Sequence, residues 1–281
     1  MSKEIARNYF LAHFPQYRAE IRSFRKVIVG FSNQIFKITL LDGRSFKVRL
    51  AENNDLISRE NEQEVLKLVE DPFLLAYDSS TGNAIYKWIE GEPLRPKVID
   101  RGVLERIIQL ARRYHSVPEN KLTNILPHDD FDSSDKVDFD RREYNDYFPI
   151  YKELVEKYKD LPKVLTHNDI SLKNLIYSRL DSGELGLFLI DYEWARVNTI
   201  YWEYGNFARE SQLSKNNIKL LADLLHINAD ILIDFTFIAT FYSWQLSFNW
   251  DRTDRLEQYR NKLVVQLKRY KGWRKPVTVA I

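Results

Sequence analysis

The stretch Val164-Leu165-Thr166-His167-Asn168-Asp169-Ile170-Ser171-Leu172-Lys173-Asn174-Leu175-Ile176-Tyr177 decides the fold of this chain. It places an aspartate five residues before an asparagine, in a polar run between two apolar ones. A second apolar run, Leu187-Phe188-Leu189-Ile190, ends on Asp191. Leu175–Tyr177 and Leu187–Ile190 read as short strands, and the Ser178–Glu184 segment between them is rich in turn formers. A hairpin is the simplest connection, so Asn174 and Asp191 are expected at its open end, beside the loop that carries Asp169. Asp, Asn and Asp in this order suit phosphoryl transfer. One carboxylate orients a hydroxyl nucleophile, while an amide oxygen and a second carboxylate hold the magnesium that bridges nucleotide phosphates.

Working outward, the chain has 281 residues, enough for one large domain or two lobes with an ample apolar core. Hydrophobic residues make up 44% and charged residues 29%, an ordinary globular balance. Net charge is +2, which gives no reason to expect a nucleic-acid partner. With no cysteine, disulfides, thiolate chemistry and Cys-based metal sites are excluded. Residues 1–8 are charged and carry no apolar signal core, and a cytoplasmic location is expected. The most hydrophobic region, Ile231 to Phe248, is interrupted by Asp234 and Gln245 and reads as a buried helix rather than a stable membrane insertion.

The first ~90 residues read as mixed and strand-dominated. Strands are expected over Val27–Val29, Ile35–Leu40, Ser45–Leu50, Phe73–Tyr77 and Ala84–Ile89, with Asp42-Gly43 as a hairpin turn and Ser79–Asn83 as turn chemistry. Arg59 to Val69 has helical spacing. After Glu90-Gly91-Glu92-Pro93 the pattern becomes helical: Val98–His115, Tyr147–Tyr158, Trp202–Leu213, Ser214–Leu225, Asp230–Phe248 and Asp254–Tyr270. The expected fold class is α+β. Residues 1–89 would form a small antiparallel-sheet lobe that binds nucleotide, and 90–281 a larger helical lobe carrying the Asp-Asn-Asp set and the substrate site, with the nucleotide in a cleft between them.

These residues resemble the choline/ethanolamine kinase family, within the protein-kinase-like group that includes aminoglycoside phosphotransferases. The resemblance runs from about Val29 to Trp250. His167-Asn168-Asp169 through Asn174 looks like the family's H-x-D-x-x-x-x-N, and Ile190-Asp191-Tyr192-Glu193 matches its I-D-[YFW]-E. Trp202 to Glu210 looks like D-[IL]-[GA]-N-x-x-x-E, with Glu203 where Asp is usual. Gly30-Phe31-Ser32-Asn33 resembles a short phosphate loop, G-x-[ST]-N, whose backbone and small polar side chains approach phosphates. Arg49 stands where protein kinases carry a phosphate-pairing Lys, Glu62 matches the helix Glu that pairs with it, and Trp88-Ile89 matches the hinge that meets the nucleotide base.

What the resemblance implies is ATP- and Mg2+-dependent phosphorylation of the hydroxyl of a small amino alcohol, choline first. Asp169 would align the hydroxyl, and Asn174 and Asp191 would bind magnesium. Ser32, Asn33, Arg49, Glu62, Trp88 and Ile89 would serve the nucleotide, and His167 would brace the loop. The family's choline pocket uses a carboxylate and an aromatic cage. Glu210 matches the carboxylate, Trp194 the aromatic after I-D-[YFW]-E, and Trp244 the first Trp of W-x-x-W. Ser247 stands at the second, with Phe248 or Trp250 as compensating rings. The rival reading is a kinase of another small hydroxyl compound such as ethanolamine, thiamine or an aminoglycoside, for which Asp129, Asp130, Asp132 and Asp135 would supply carboxylates. A non-catalytic ligand-binding relative would be expected to lose Asp169, Asn174 or Asp191. A protein kinase is disfavoured by the missing Gly-rich loop, Asp-Phe-Gly and Ala-Pro-Glu.

Overall fold

Alternation of buried and partly buried side chains is the signature of a half-covered strand, and it sets the first sheet. Phe36, Ile38 and Leu40 on one strand and Phe46, Val48 and Leu50 on the next all face the core. The computed structural model describes residues 2–27, 33–52, 56–96, 99–128, 141–179, 185–250 and 253–274. It divides the chain into two compact units: Met1–Gly91 with Ser178–Glu184 and Tyr192–Trp194, and Glu92–Tyr177 with Leu185–Asp191 and Ala195–Ile281.

In the first unit, α1 (Ser2–His13) precedes β1 (Ile21–Val27), β2 (Asn33–Leu40), β3 (Ser45–Ala51), α2 (Arg59–Leu68), β4 (Leu74–Tyr77) and β5 (Ala84–Lys87). The five strands form one antiparallel sheet in the order β1-β2-β3-β5-β4. Gly43 closes the β2–β3 hairpin at φ +90°, a conformation in which a side chain would be strained. Ser58 caps α2 by accepting the Asn61 N–H at 3.2 Å. Two features differ from the sequence reading. The first strand begins at Ile21, six residues before the expected Val27, and Ile28 and Val29 lie outside the described residues. Charged residues 2–8 start a helix whose Ala6, Phe10 and Leu11 are buried on the sheet's apolar face, with Tyr9 partly buried against the same cluster; most other side chains of the helix stay exposed, so charge dominates the sequence pattern.

The second unit contains β6 (Glu92–Pro93), α3 (Arg101–His115), α4 (Arg142–Tyr158), β7 (Val164–Thr166), β8 (Leu175–Arg179), β9 (Leu185–Leu189), β10 (Arg196–Asn198), α5 (Ile200–Glu210), α6 (Lys215–Leu225), α7 (Ala229–Leu246) and α8 (Asp254–Trp273). The end of β8 passes into the first unit. β6, β8 and β9 form one small sheet and β7 with β10 another. α7 is the centre of the unit, packed by α4, α5, α6 and α8. Residues 229–249 are long and apolar enough to cross a membrane, yet 83% of that window is buried inside the fold, as befits a core helix. Its interior hydroxyls are satisfied locally: Thr236 and Thr240 donate to the carbonyls of Leu232 and Thr236 at 2.8 and 2.6 Å.

Candidate active site

The polar loop between β7 and β8 is held in shape by side chains from distant parts of the second unit. Asn168 sits at φ +60°, a left-handed conformation that Asn tolerates better than most residues. Thr166 Oγ1 and Asn198 Nδ2 donate to its Oδ1 at 2.8 and 3.3 Å, and Asn206 Nδ2 donates to its carbonyl at 2.8 Å. The His167 N–H donates to Glu203 at 2.8 Å, and Glu203 also pairs with His115. Since Nδ1 of His167 accepts the Asp169 N–H at 3.3 Å, its Nε2 carries the proton and donates to the Ile190 carbonyl at 3.2 Å. Burial holds this ring's pKa below the usual value, so it stays neutral and ties the loop to the strand end before Asp191.

Asp169 and Asn174 are joined directly. Asn174 Nδ2 donates to the Asp169 carbonyl at 3.0 Å and to its Oδ2 at 2.7 Å. Both partners are acceptors only, which fixes the amide's orientation and leaves Oδ1 as the atom it presents elsewhere. The Ile190 N–H donates to the Asn174 carbonyl at 3.0 Å, so the end of β9 is tied to the start of β8. Asp191 follows at φ +75°, a strained conformation for a residue with a side chain. The hairpin therefore brings Asp169, Asn174 and Asp191 into one polar group. Among the described residues no three His, Cys, Asp or Glu side chains form an all-protein metal cage. A carboxylate and an amide oxygen at one hairpin end fit magnesium, a hard cation that takes its remaining ligands from phosphates and water.

Burial pushes the Asp169 carboxyl up to about 6, against the pull of Lys173. Glu210, at the end of α5, pairs with Arg209 at 2.8 Å. Burial works against its charge, but Arg209 and Lys173 outweigh that and hold it below the usual range. Arg209 is pinned by Asn206 (2.7 and 3.0 Å) and by the Tyr259 hydroxyl of α8 (3.1 Å).

The first unit carries a separate charged cluster. Arg49 pairs with Glu62 at 2.6 Å and directs Nε and Nη2 to the Gly82 carbonyl at 3.1 and 2.8 Å. Only 1% of the Arg49 side chain is exposed, with the guanidinium turned toward Glu62, the pairing expected from sequence, and the Gly82 carbonyl. Arg59, 10% exposed, joins the cluster through Glu62 (2.9 Å) and Glu193 (3.1 Å), and Glu193 also accepts from Asn33 at 3.0 Å. Trp88 is half-buried under the Lys37 ammonium, 4.4 Å from the ring centre, and Ile89 is also partly exposed. Ser32 lies outside the described residues, as do Asp129, Asp130, Asp132 and Asp135.

The residues expected for the aromatic cage are found in different surroundings. Trp194 belongs to the first unit and Glu210, Trp244 and Trp250 to the second. Trp244 is 1% exposed, stacked on Phe241 and edge-on to Phe248, and offers no face to a ligand. At Ser247 the small side chain admits Arg260, whose Nε donates to Ser247 Oγ at 3.0 Å and whose guanidinium lies 4.2 Å from the Phe248 ring centre. Arg141 lies 4.9 Å from the same ring. Trp250 remains 38% exposed. Asn206, Asn198, Arg209 and His115 are site-building residues that the sequence reading did not assign. Asn206 is the one with a signal, since it occupies the Asn of the D-[IL]-[GA]-N pattern.

Residues 24–222 match the family model described as choline/ethanolamine kinase. A protein of Mycoplasma pneumoniae is 31% identical over 252 residues, covering 87% of this chain and 80% of that protein. Among solved structures, the choline kinase LicA from Streptococcus pneumoniae superposes with a TM-score of 0.72 at 16% identity, over 94% of this chain and 99% of that one. A GDP complex of aminoglycoside 2'-phosphotransferase-IIIa gives 0.72 at 15% identity, over 96% and 100%.

Proposed function

This chain belongs to the choline/ethanolamine kinase family, and from that premise we propose that it moves the γ-phosphoryl group of ATP to the hydroxyl of a small amino alcohol in the cytoplasm. The observation that carries this reading is the Asn174 amide bonded at 2.7 Å to Asp169, with its backbone tied to the residue before Asp191. Asp169 accepts a hydrogen bond from the acceptor hydroxyl and aligns it. Asn174 and Asp191 would hold magnesium, which when bound would neutralise charge on the nucleotide phosphates. In the first unit Asn33, Trp88 and Ile89 serve the nucleotide, with Ser32 beside them in sequence, while the Arg49–Glu62 pair keeps that sheet and α2 in register. Positioning and fixed charge do nearly all the work in this reaction class. The GDP-bound aminoglycoside phosphotransferase, of like fold, supports the nucleotide half of the reading.

Choline is the first acceptor to try, with Glu210 facing its charge and Trp194 and Trp250 as cage candidates. A second reading, a kinase of another small hydroxyl compound, is favoured by one observation: the Phe248 ring already has Arg260 and Arg141 against it. A ring so occupied is a poor wall for a quaternary ammonium. Ethanolamine, needing hydrogen bonds more than aromatic faces, suits that environment better. Transfer of labelled phosphate from Mg·ATP to choline, ethanolamine, thiamine and an aminoglycoside separates these. Transfer to one acceptor, lost in Asp169→Ala, is the expected result; no transfer to any alcohol would overturn the reading.

A further inference from the structure

One cation beside Asp169 is not used in the scheme above. Lys173 occupies the turn closed by the Asn174 N–H and the Ser171 carbonyl at 2.9 Å, next in sequence to a proposed metal ligand. Its Nζ is 3.9 Å from Asp169 Oδ2, and its side chain is 54% exposed. That long ion pair is its one polar side-chain contact among the described residues. The carboxylates acting on it are Asp169 first, then Glu210 and Asp191. Arg209, the other cation of this group, has its N–H groups committed to Asn206, Glu210 and Tyr259. Among the described residues, Lys173 combines a positive charge, an ammonium held only by one long ion pair, and proximity to the residue proposed to align the nucleophile.

Resting on the phosphoryl-transfer reading, we propose that Lys173 is a further catalytic residue, donating hydrogen bonds to the phosphoryl group as it passes to the acceptor. In that step the acceptor oxygen forms its bond to the γ-phosphorus. The bond from that phosphorus to the β–γ bridging oxygen breaks, and its electron pair leaves with ADP. The hydroxyl proton goes to Asp169 and then to solvent, while Lys173 keeps its own protons throughout. An ammonium contributes most where negative charge is in motion, because its donors are already oriented when the charge arrives. It therefore favours the transition state over bound ATP, and its removal should appear in turnover rather than in nucleotide affinity.

The test uses binding as well as rate. Wild type, Lys173→Met and Lys173→Arg are titrated with Mg·ADP, alone and with aluminium fluoride as a mimic of the phosphoryl group in flight. Steady-state transfer is measured alongside, and the melting temperature serves as the folding control. Expected for Lys173→Met are Mg·ADP affinity within threefold of wild type, loss of at least 30-fold of the fluoride-dependent tightening, and a comparable fall in kcat. Lys173→Arg should regain part of both. Fluoride-dependent tightening in Lys173→Met equal to wild type, or a defect confined to the acceptor KM, overturns the assignment while leaving the kinase reading intact. A wild-type protein that binds no Mg·ADP overturns that reading and the inference with it.

Discussion

Asp169, the carboxylate proposed to align the acceptor hydroxyl, is also a cost to the fold. Its pKa is raised to about 6 by burial, above the ordinary 3.8. The folded state therefore binds more protons than the unfolded chain between those values, and stability falls as pH rises through that window. Because 18% of the side chain still meets solvent, the penalty above pH 6 is discounted to about 2 kcal/mol. Asp169→Asn in the metal-free protein should melt higher than wild type at pH 7.5 and equal to it at pH 3.5, while losing at least 100-fold in turnover. Equal melting at both pH values would show that the buried charge carries no penalty. Glu62 is the opposite case. It takes Arg49 at 2.6 Å, Arg59 at 2.9 Å and the Tyr77 hydroxyl at 2.9 Å with none of its surface exposed. Glu62→Ala leaves the Arg49 guanidinium buried without its counter-ion and should cost about 3–5 kcal/mol in urea unfolding; a loss below 1 kcal/mol would place the Arg charge elsewhere.

At the level of elements, α5 and α7 pack as closely as backbones allow. A Cβ on Gly205 would sit 2.8 Å from the Phe235 carbonyl carbon, against main chain that cannot rotate away. Gly205→Ala should destabilise by about 2 kcal/mol, offset little by the better helix propensity of Ala. Because Asn206 and Glu203 on the same helix hold the loop that carries Asp169, turnover should fall with it. Unchanged melting would mean the two helices separate freely. How much of this was legible in the sequence follows from range. The 167–177 loop and the β8–β9 hairpin are local, with spacing and turn residues that state their geometry, and the long helices follow from apolar periodicity. Three-residue strands such as β7 and β10 are too short to show a period. The contacts of Asn206 with Asn168 and of His115 with Glu203 join residues far apart in the chain. Trp244 and Arg49 were correctly placed on their elements, but burial is decided by neighbours from other elements, which no local pattern records.

For the molecule as a whole, nucleotide and metal should register as stability, because a ligand that binds only the folded chain shifts unfolding by mass action. Mg·ADP at 100 times its dissociation constant contributes about 2.7 kcal/mol, roughly 5–10 °C in a chain of this length. If Asp191, the carboxylate after β9, holds magnesium as proposed, part of that shift should depend on it. Asp191→Asn keeps the shape and the strained backbone, since Asn adopts φ +75° more readily than most residues, but it withdraws the negative charge that a hard dication needs. The variant should melt within about 2 °C of wild type without ligand and respond to ADP in EDTA as wild type does. It should also lose most of the extra rise that magnesium gives. Wild-type behaviour of Asp191→Asn across the magnesium titration would remove Asp191 from the metal site and leave Asn174 without its partner. Loss of the ADP response in EDTA would instead assign Asp191 to the nucleotide itself. The two outcomes separate a metal ligand from a phosphate neighbour without any knowledge of the acceptor alcohol.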